Sequence, residues 1–172
     1  MLATRLVKVA MVASLALFAL LVAFNNVVDY GTNYQFVRHT LGMDTTFPGN
    51  ALMTRAVTSP VLLTIAYWSI ILTEGVTGLL LALGAIRMLT NVNAPAARFE
   101  TAKRFVAIGA GLGFMLWFTG FMVIGGEWFA MWQSQTWNGQ EAAFRFYMTL
   151  LAVLIFVNQT DSELPNREGE VG

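Results

Sequence analysis

The sequence predicts an all-α membrane protein: a four-transmembrane-helix bundle, N-in/C-in, with a structured first periplasmic loop. Three observations predict it. Hydrophobic residues make up 56% of the 172-residue chain and charged residues only 12%, about half the charged share of soluble domains. The apolar residues gather into four stretches of about 20 residues, the length a helix needs to cross hydrocarbon. Lys and Arg between the stretches segregate to alternating sides, which fixes orientation. The same balance excludes a soluble domain, a disordered chain and a nucleic-acid binder. Ten basic and ten acidic residues cancel, so no cationic surface is offered to phosphates. Cys is absent, which excludes disulfides, thiolate chemistry, iron–sulfur clusters and cysteine-ligated zinc. The single His leaves no multi-histidine metal or haem site, so neither metal nor cofactor is expected.

The elements follow in order. Residues 9–28 form the first span behind Arg5 and Lys8. A basic start before an apolar run also describes a secretory signal peptide, but this run is too long and lacks an A-x-A site before polar sequence, so the helix is retained. The second span, 61–86, opens after Ser59-Pro60 and stops at Arg87; Pro suits a first helical turn, where its missing N–H has no partner to lose. The third, 105–124, follows Lys103-Arg104 and ends at Gly125-Gly126. The fourth, 142–157, is short for a bilayer, with Asn138 as N-cap and Glu141 in the first turn. One domain thus covers 1–158, and the polar, acidic segment 159–172 reads as a disordered cytoplasmic tail.

Arg5, Lys8, Arg87, Arg98, Lys103, Arg104 and Arg167 fall on one side; Arg38, Arg55 and Arg145 fall on the other. Both termini are therefore expected in the cytoplasm, with outer loops 29–60 and 125–141. In the first loop, Tyr34–Leu41 reads as a short interfacial helix. Phe47-Pro48-Gly49-Asn50 marks a turn, and residues 51–57 suit another helical turn or two. Trp128, Trp132 and Trp137 form an outer aromatic belt.

Glu74 is the residue most charged with meaning, because it sits near the middle of the second span. A charge there costs about 2.5–3.5 kcal/mol on insertion scales, to be offset by protonation, a partner or water. Helical spacing places Tyr67 and Thr77 on the same stripe, with Ile71 and Gly78. The stripe reads either as a proton, ion or ligand contact or as an interhelical hydrogen bond that fixes packing. A second cluster lies at the outer helix ends: Asn25, Asn26, Asp29, Asp44, Glu127, Glu141 and Arg145, rimmed by the three tryptophans. Arg145 is expected to snorkel outward toward an acid such as Asp29 or Glu127. This mouth reads as a binding surface or as a salt-bridge network that seals the bundle. Gly109 and Gly113, four apart on the third span, let two helix backbones approach within the monomer or between copies. No phosphate loop, dinucleotide fingerprint, nucleophile elbow or metalloprotease motif is present.

Several short segments carry a family likeness. They are Asn25-Asn26 with Asp29-Tyr30; Met43-Asp44-Thr45-Thr46-Phe47-Pro48-Gly49-Asn50; Gly125 to Ser134; and Trp137-Asn138-Gly139-Gln140-Glu141. In these the chain resembles the bacterial family of predicted small integral membrane proteins, domain of unknown function 2165. The resemblance implies a four-helix protein of the inner membrane of a Gram-negative bacterium. It brings no activity, substrate or catalytic residue.

The expected function is non-enzymatic: an accessory or assembly subunit in the lipid bilayer that binds a larger inner-membrane complex, or its own copies, through its periplasmic face. The alternative is an oligomeric channel or carrier for a proton, cation or small solute, using Glu74 and the outer mouth. A third reading makes Glu127, Glu141 or Asp29 an acid or base acting on lipid or quinone. A cavity joining Asn25, Asp29, Glu127 and Arg145 to Glu74 favours a ligand or transport; a flat tryptophan-faced patch favours a protein partner.

Overall fold

The computed structural model describes residues 1–164, and among them every regular element is helical. Helix α1 runs Leu2–Val28, α2 Tyr30–Gly42, α3 Pro60–Thr90, α4 Ala96–Ala102, α5 Arg104–Phe114 and α6 Gln140–Val157. Beyond Phe114 the third span continues to Trp128 in the wider π winding, and single 3₁₀ turns occupy Met53–Arg55 and Met131–Gln133. Four helices are long and apolar enough to cross a membrane: Leu2–Val28, Pro60–Thr90, Ala96–Trp128 and Gln140–Val157. The last has 18 residues, about 27 Å of helix against roughly 30 Å of hydrocarbon.

Apolar residues lie on both sides of these helices. Leu17, Leu72, Leu79 and Ile155 are all about 60% exposed, as hydrocarbon permits and water does not. The inner face of α3 carries Leu63, Tyr67, Ile71, Glu74, Thr77, Gly78, Leu81 and Met88, all buried. Close approach comes from glycines. A Cβ on Gly78 would stand 2.7 Å from Leu20 Cγ and 2.9 Å from Leu20 N on α1. One on Gly109 would stand 3.0 Å from Leu80 Cβ, and one on Gly113 would meet Leu150 Cδ1 at 2.8 Å and Thr77 Cγ2 at 3.0 Å. Gly109 and Gly113 therefore serve contacts with α3 and α6 inside one chain.

The chain's two ends share one end of the bundle. Arg5 donates to the carbonyls of Val92 at 3.0 Å, Ala94 at 2.6 Å and Ser162 at 3.1 Å. The two long loops meet at the other end, where Thr45 Oγ1 donates to Ser134 Oγ at 2.8 Å. An even number of long helices gives this arrangement.

Boundaries differ from the sequence reading for identifiable reasons. Helix α1 begins at Leu2 because Arg5 and Lys8 are enclosed in the bundle end rather than left before it. The link expected between the second and third spans holds a helix of its own, α4, which starts behind Pro95. Asn138 does not cap the last helix: Gly139 stands at the cap, and the Asn138 side chain accepts from Gln140 N at 3.1 Å. The segment after Asn158, expected to be disordered, is docked at its start, because Asp161 is buried between lysines. Arg167 and the rest of the expected tail, 165–172, lie outside the described residues.

Candidate functional site

Glu74 is 2% exposed and takes its partner from α1. Asn26 Nδ2 donates to Glu74 Oε2 at 2.7 Å. Asn26 is itself fixed, because the Tyr67 hydroxyl donates to its backbone carbonyl at 2.8 Å. That carbonyl belongs to the last turn of α1 and has no intrahelical N–H to accept from. Tyr67 is held edge-on by Tyr30 at 4.8 Å and Tyr34 at 6.0 Å between ring centres. A chain of contacts thus runs from α2 through α3 and α1 to the carboxyl. The second Glu74 oxygen accepts no hydrogen bond from the described residues.

That carboxyl lines a cavity of about 210 Å³. Asn26, Asn33 and Tyr67 supply its other polar atoms, and Phe36, Trp117, Phe121 and Phe146 its aromatic walls. One helical turn below Glu74, Thr77 is fully buried, outside the cavity, with its hydroxyl unpartnered among the described residues. Thr77, Gly78 and Leu81, the next residues of that face, are buried and do not line the cavity, which forms a cup around the carboxyl. An apolar cavity of about 190 Å³ abuts it, with Phe36, Val37, Ile70 and Phe121 in common.

The remaining outer-face residues do not converge on this cup. Asn25, Asp29 and Glu127 are exposed. Arg145 bonds Glu141, its neighbour one turn back, and both are largely exposed, so it reaches neither Asp29 nor Glu127. Asp44 pairs with His39 Nδ1 at 2.8 Å, and the His39 ring stacks on Trp137 at 4.7 Å. Among the described residues no three His, Cys, Asp or Glu side chains gather as a metal-holding group.

The loops form a cap instead. The Gln133 side-chain carbonyl accepts from Phe47 N at 3.0 Å and Asn50 Nδ2 at 3.1 Å. Arg55 donates to the Trp128 carbonyl at 3.1 Å and lies 4.4 Å over its ring. Val57 N donates to the Leu41 carbonyl at 2.8 Å, and Ser134 Oγ accepts from Trp137 N at 2.9 Å. Trp128 and Trp132 remain half exposed, with Phe47 edge-on to Trp132 at 5.8 Å.

A cluster at the opposite end escapes the sequence reading. Asp161 Oδ2 accepts from Lys8 Nζ at 2.8 Å and Lys103 Nζ at 2.6 Å. Lys103 also meets Glu100 at 2.8 Å, and the same Glu100 oxygen accepts from Asp161 N at 2.9 Å. Burial pushes the Asp161 carboxyl up, but the hydrogen bonds and charges of Lys103 and Lys8 outweigh it and hold it below the ordinary value. The signal in the sequence is the i,i+3 pair Arg5 and Lys8, which shares one helix face and so can turn inward together.

Four helices long and apolar enough to cross a membrane, loops bonded to one another at one end and a buried carboxyl between helices define an integral membrane protein. The chain belongs to the family described as "Predicted small integral membrane protein (DUF2165)", whose model matches residues 4–160. No curated protein and no solved structure matches it.

Proposed function

We propose that this chain is a non-enzymatic accessory or assembly subunit of a bacterial inner (plasma) membrane, with both termini cytoplasmic, binding a larger membrane complex through its periplasmic cap. The cap carries the reading. Thr45, Phe47, Asn50 and Arg55 bond Ser134, Gln133 and Trp128 across the two loops, and the frame so built turns Phe47, Trp128 and Trp132 outward. Exposed tryptophans on a preorganised frame are the residues that anchor protein interfaces. The orientation is supported by Arg5, Lys8, Arg87, Arg98, Lys103 and Arg104 at the terminal end against Arg38, Arg55 and Arg145 at the other. The cap's carboxylates stand apart or are already paired, which supports binding over catalysis.

Purification in gentle detergent is expected to retain a stoichiometric membrane partner, lost when Trp128→Ser and Trp132→Ser are combined. A wild-type chain recovered alone or only with its own copies, or a complex indifferent to both substitutions, defeats the reading.

The Glu74 cup favours a second reading, transport of a proton, cation or small solute by an oligomer. Because the buried Thr77, Gly78 and Leu81 lie beyond the cup without lining it, a pathway requires movement of α3 against its neighbours. Glu74→Gln is then expected to abolish flux in liposomes with the fold retained; parent protein without flux removes the idea.

A further inference from the structure

We propose that the cup around Glu74 is a binding site for a small organic ammonium, an alkylamine bearing at least one N–H. Three features of the cup select that chemistry. The first is an acid without a counter-cation among the described residues: Glu74 is buried, Asn26 occupies one oxygen at 2.7 Å, and no Lys, Arg or His of the described residues lines the cavity. An amide donor compensates a carboxylate only in part at that depth, and an N–H of a cation supplies both the missing bond and the missing charge. The second is the wall. Phe36, Tyr67, Trp117, Phe121 and Phe146 line the same cavity as the carboxyl, and aromatic walls attract organic cations through their ring faces while sheltering the alkyl part. The third is room: about 210 Å³ exceeds the roughly 150 Å³ that holds a benzene molecule, enough for an amine of about six to ten heavy atoms.

The acceptor is also preorganised. Tyr67 fixes Asn26, and Asn26 fixes one carboxyl oxygen, so the free oxygen is held in place before anything binds. A neutral alcohol satisfies the hydrogen bond but neither the charge nor the aromatic faces. An ethanolamine lipid headgroup shares the ammonium chemistry with a free amine, although the cup offers its phosphate no basic side chain. The inference depends on neither a partner at the cap nor net flux, and its test reads binding alone.

The full chain in phosphatidylcholine nanodiscs is titrated with cyclohexylamine and with its neutral isostere cyclohexanol, following heat above that of empty discs. Saturable amine binding at least tenfold tighter than alcohol is expected, with the preference lost in Glu74→Gln and kept in Glu74→Asp. Phe146→Leu leaves the carboxyl in place and is expected to weaken the amine several-fold while barely moving the alcohol. Discs containing phosphatidylethanolamine separate the sources: suppressed amine binding assigns the cup to the lipid headgroup, unchanged binding to a free amine. No saturable binding, equal affinity for amine and alcohol, or a preference that survives both Glu74→Gln and Phe146→Leu overturns the proposal.

Discussion

Asp161 joins three segments of sequence through one carboxylate, because Lys8 and Lys103 both end on its Oδ2 within 2.8 Å. Removing its charge leaves two ammonium groups enclosed with Glu100 as their only carboxylate among the described residues. Asp161→Asn is expected to cost about 3–5 kcal/mol, the usual penalty for stranding a buried charge, seen as a lower melting temperature in detergent. Lys8→Met together with Asp161→Asn is expected to lose less than Asp161→Asn alone. The sign with pH follows from a folded-state pKa held below the unfolded value. The stabilisation is whole above the unfolded value of about 3.9 and is lost as pH falls through the lower folded one. Melting temperature against pH is therefore expected to drop at that acid limb in the parent and less in Asp161→Asn. Asn25 and Asn26 show how far residues are legible alone. Both were candidates, but one helical step of about 100° turns Asn26 to α3 and leaves Asn25 exposed.

At the level of elements, the 3.6-residue stripe on the second span, with Tyr67, Ile71, Glu74, Thr77 and Gly78 together, is the inner face of α3. A short helix in the first loop is also present, as α2. The π winding from Met115 to Trp128 left no mark in the sequence pattern, since apolar residues surround that span on every side. Nor does an i,i+4 glycine spacing say which neighbour it meets. Gly78, outside the pair singled out, makes a tighter approach than Gly109. Gly78→Ala is expected to destabilise by about 1–3 kcal/mol through overpacking against Leu20. Gly111→Ala, with nothing within 4 Å of the added carbon, is expected to be neutral or to stabilise by up to about 1 kcal/mol through helix propensity. Paired unfolding measurements in detergent or bicelles separate the two.

For the whole molecule, the absence of Cys makes single introduced thiols unambiguous reporters of topology. Thr160→Cys and Thr58→Cys lie at opposite ends of the bundle on exposed residues. An impermeant maleimide is expected to label Thr58→Cys in intact cells and Thr160→Cys only after lysis; labelling of both in intact cells refutes the orientation. What the amino-acid sequence determined alone is the membrane character and the number of helices able to cross, because transfer to hydrocarbon depends on summed residue character over about 20 positions. It also marked the inner face of α3, because a buried acid must turn from lipid. What only the tertiary structure decided is partnership: Glu74 with Asn26 48 residues away, Lys8 with Asp161 across 153, and loop with loop in the cap. Such pairs depend on which helices lie side by side and at what rotation, and local composition carries no record of either.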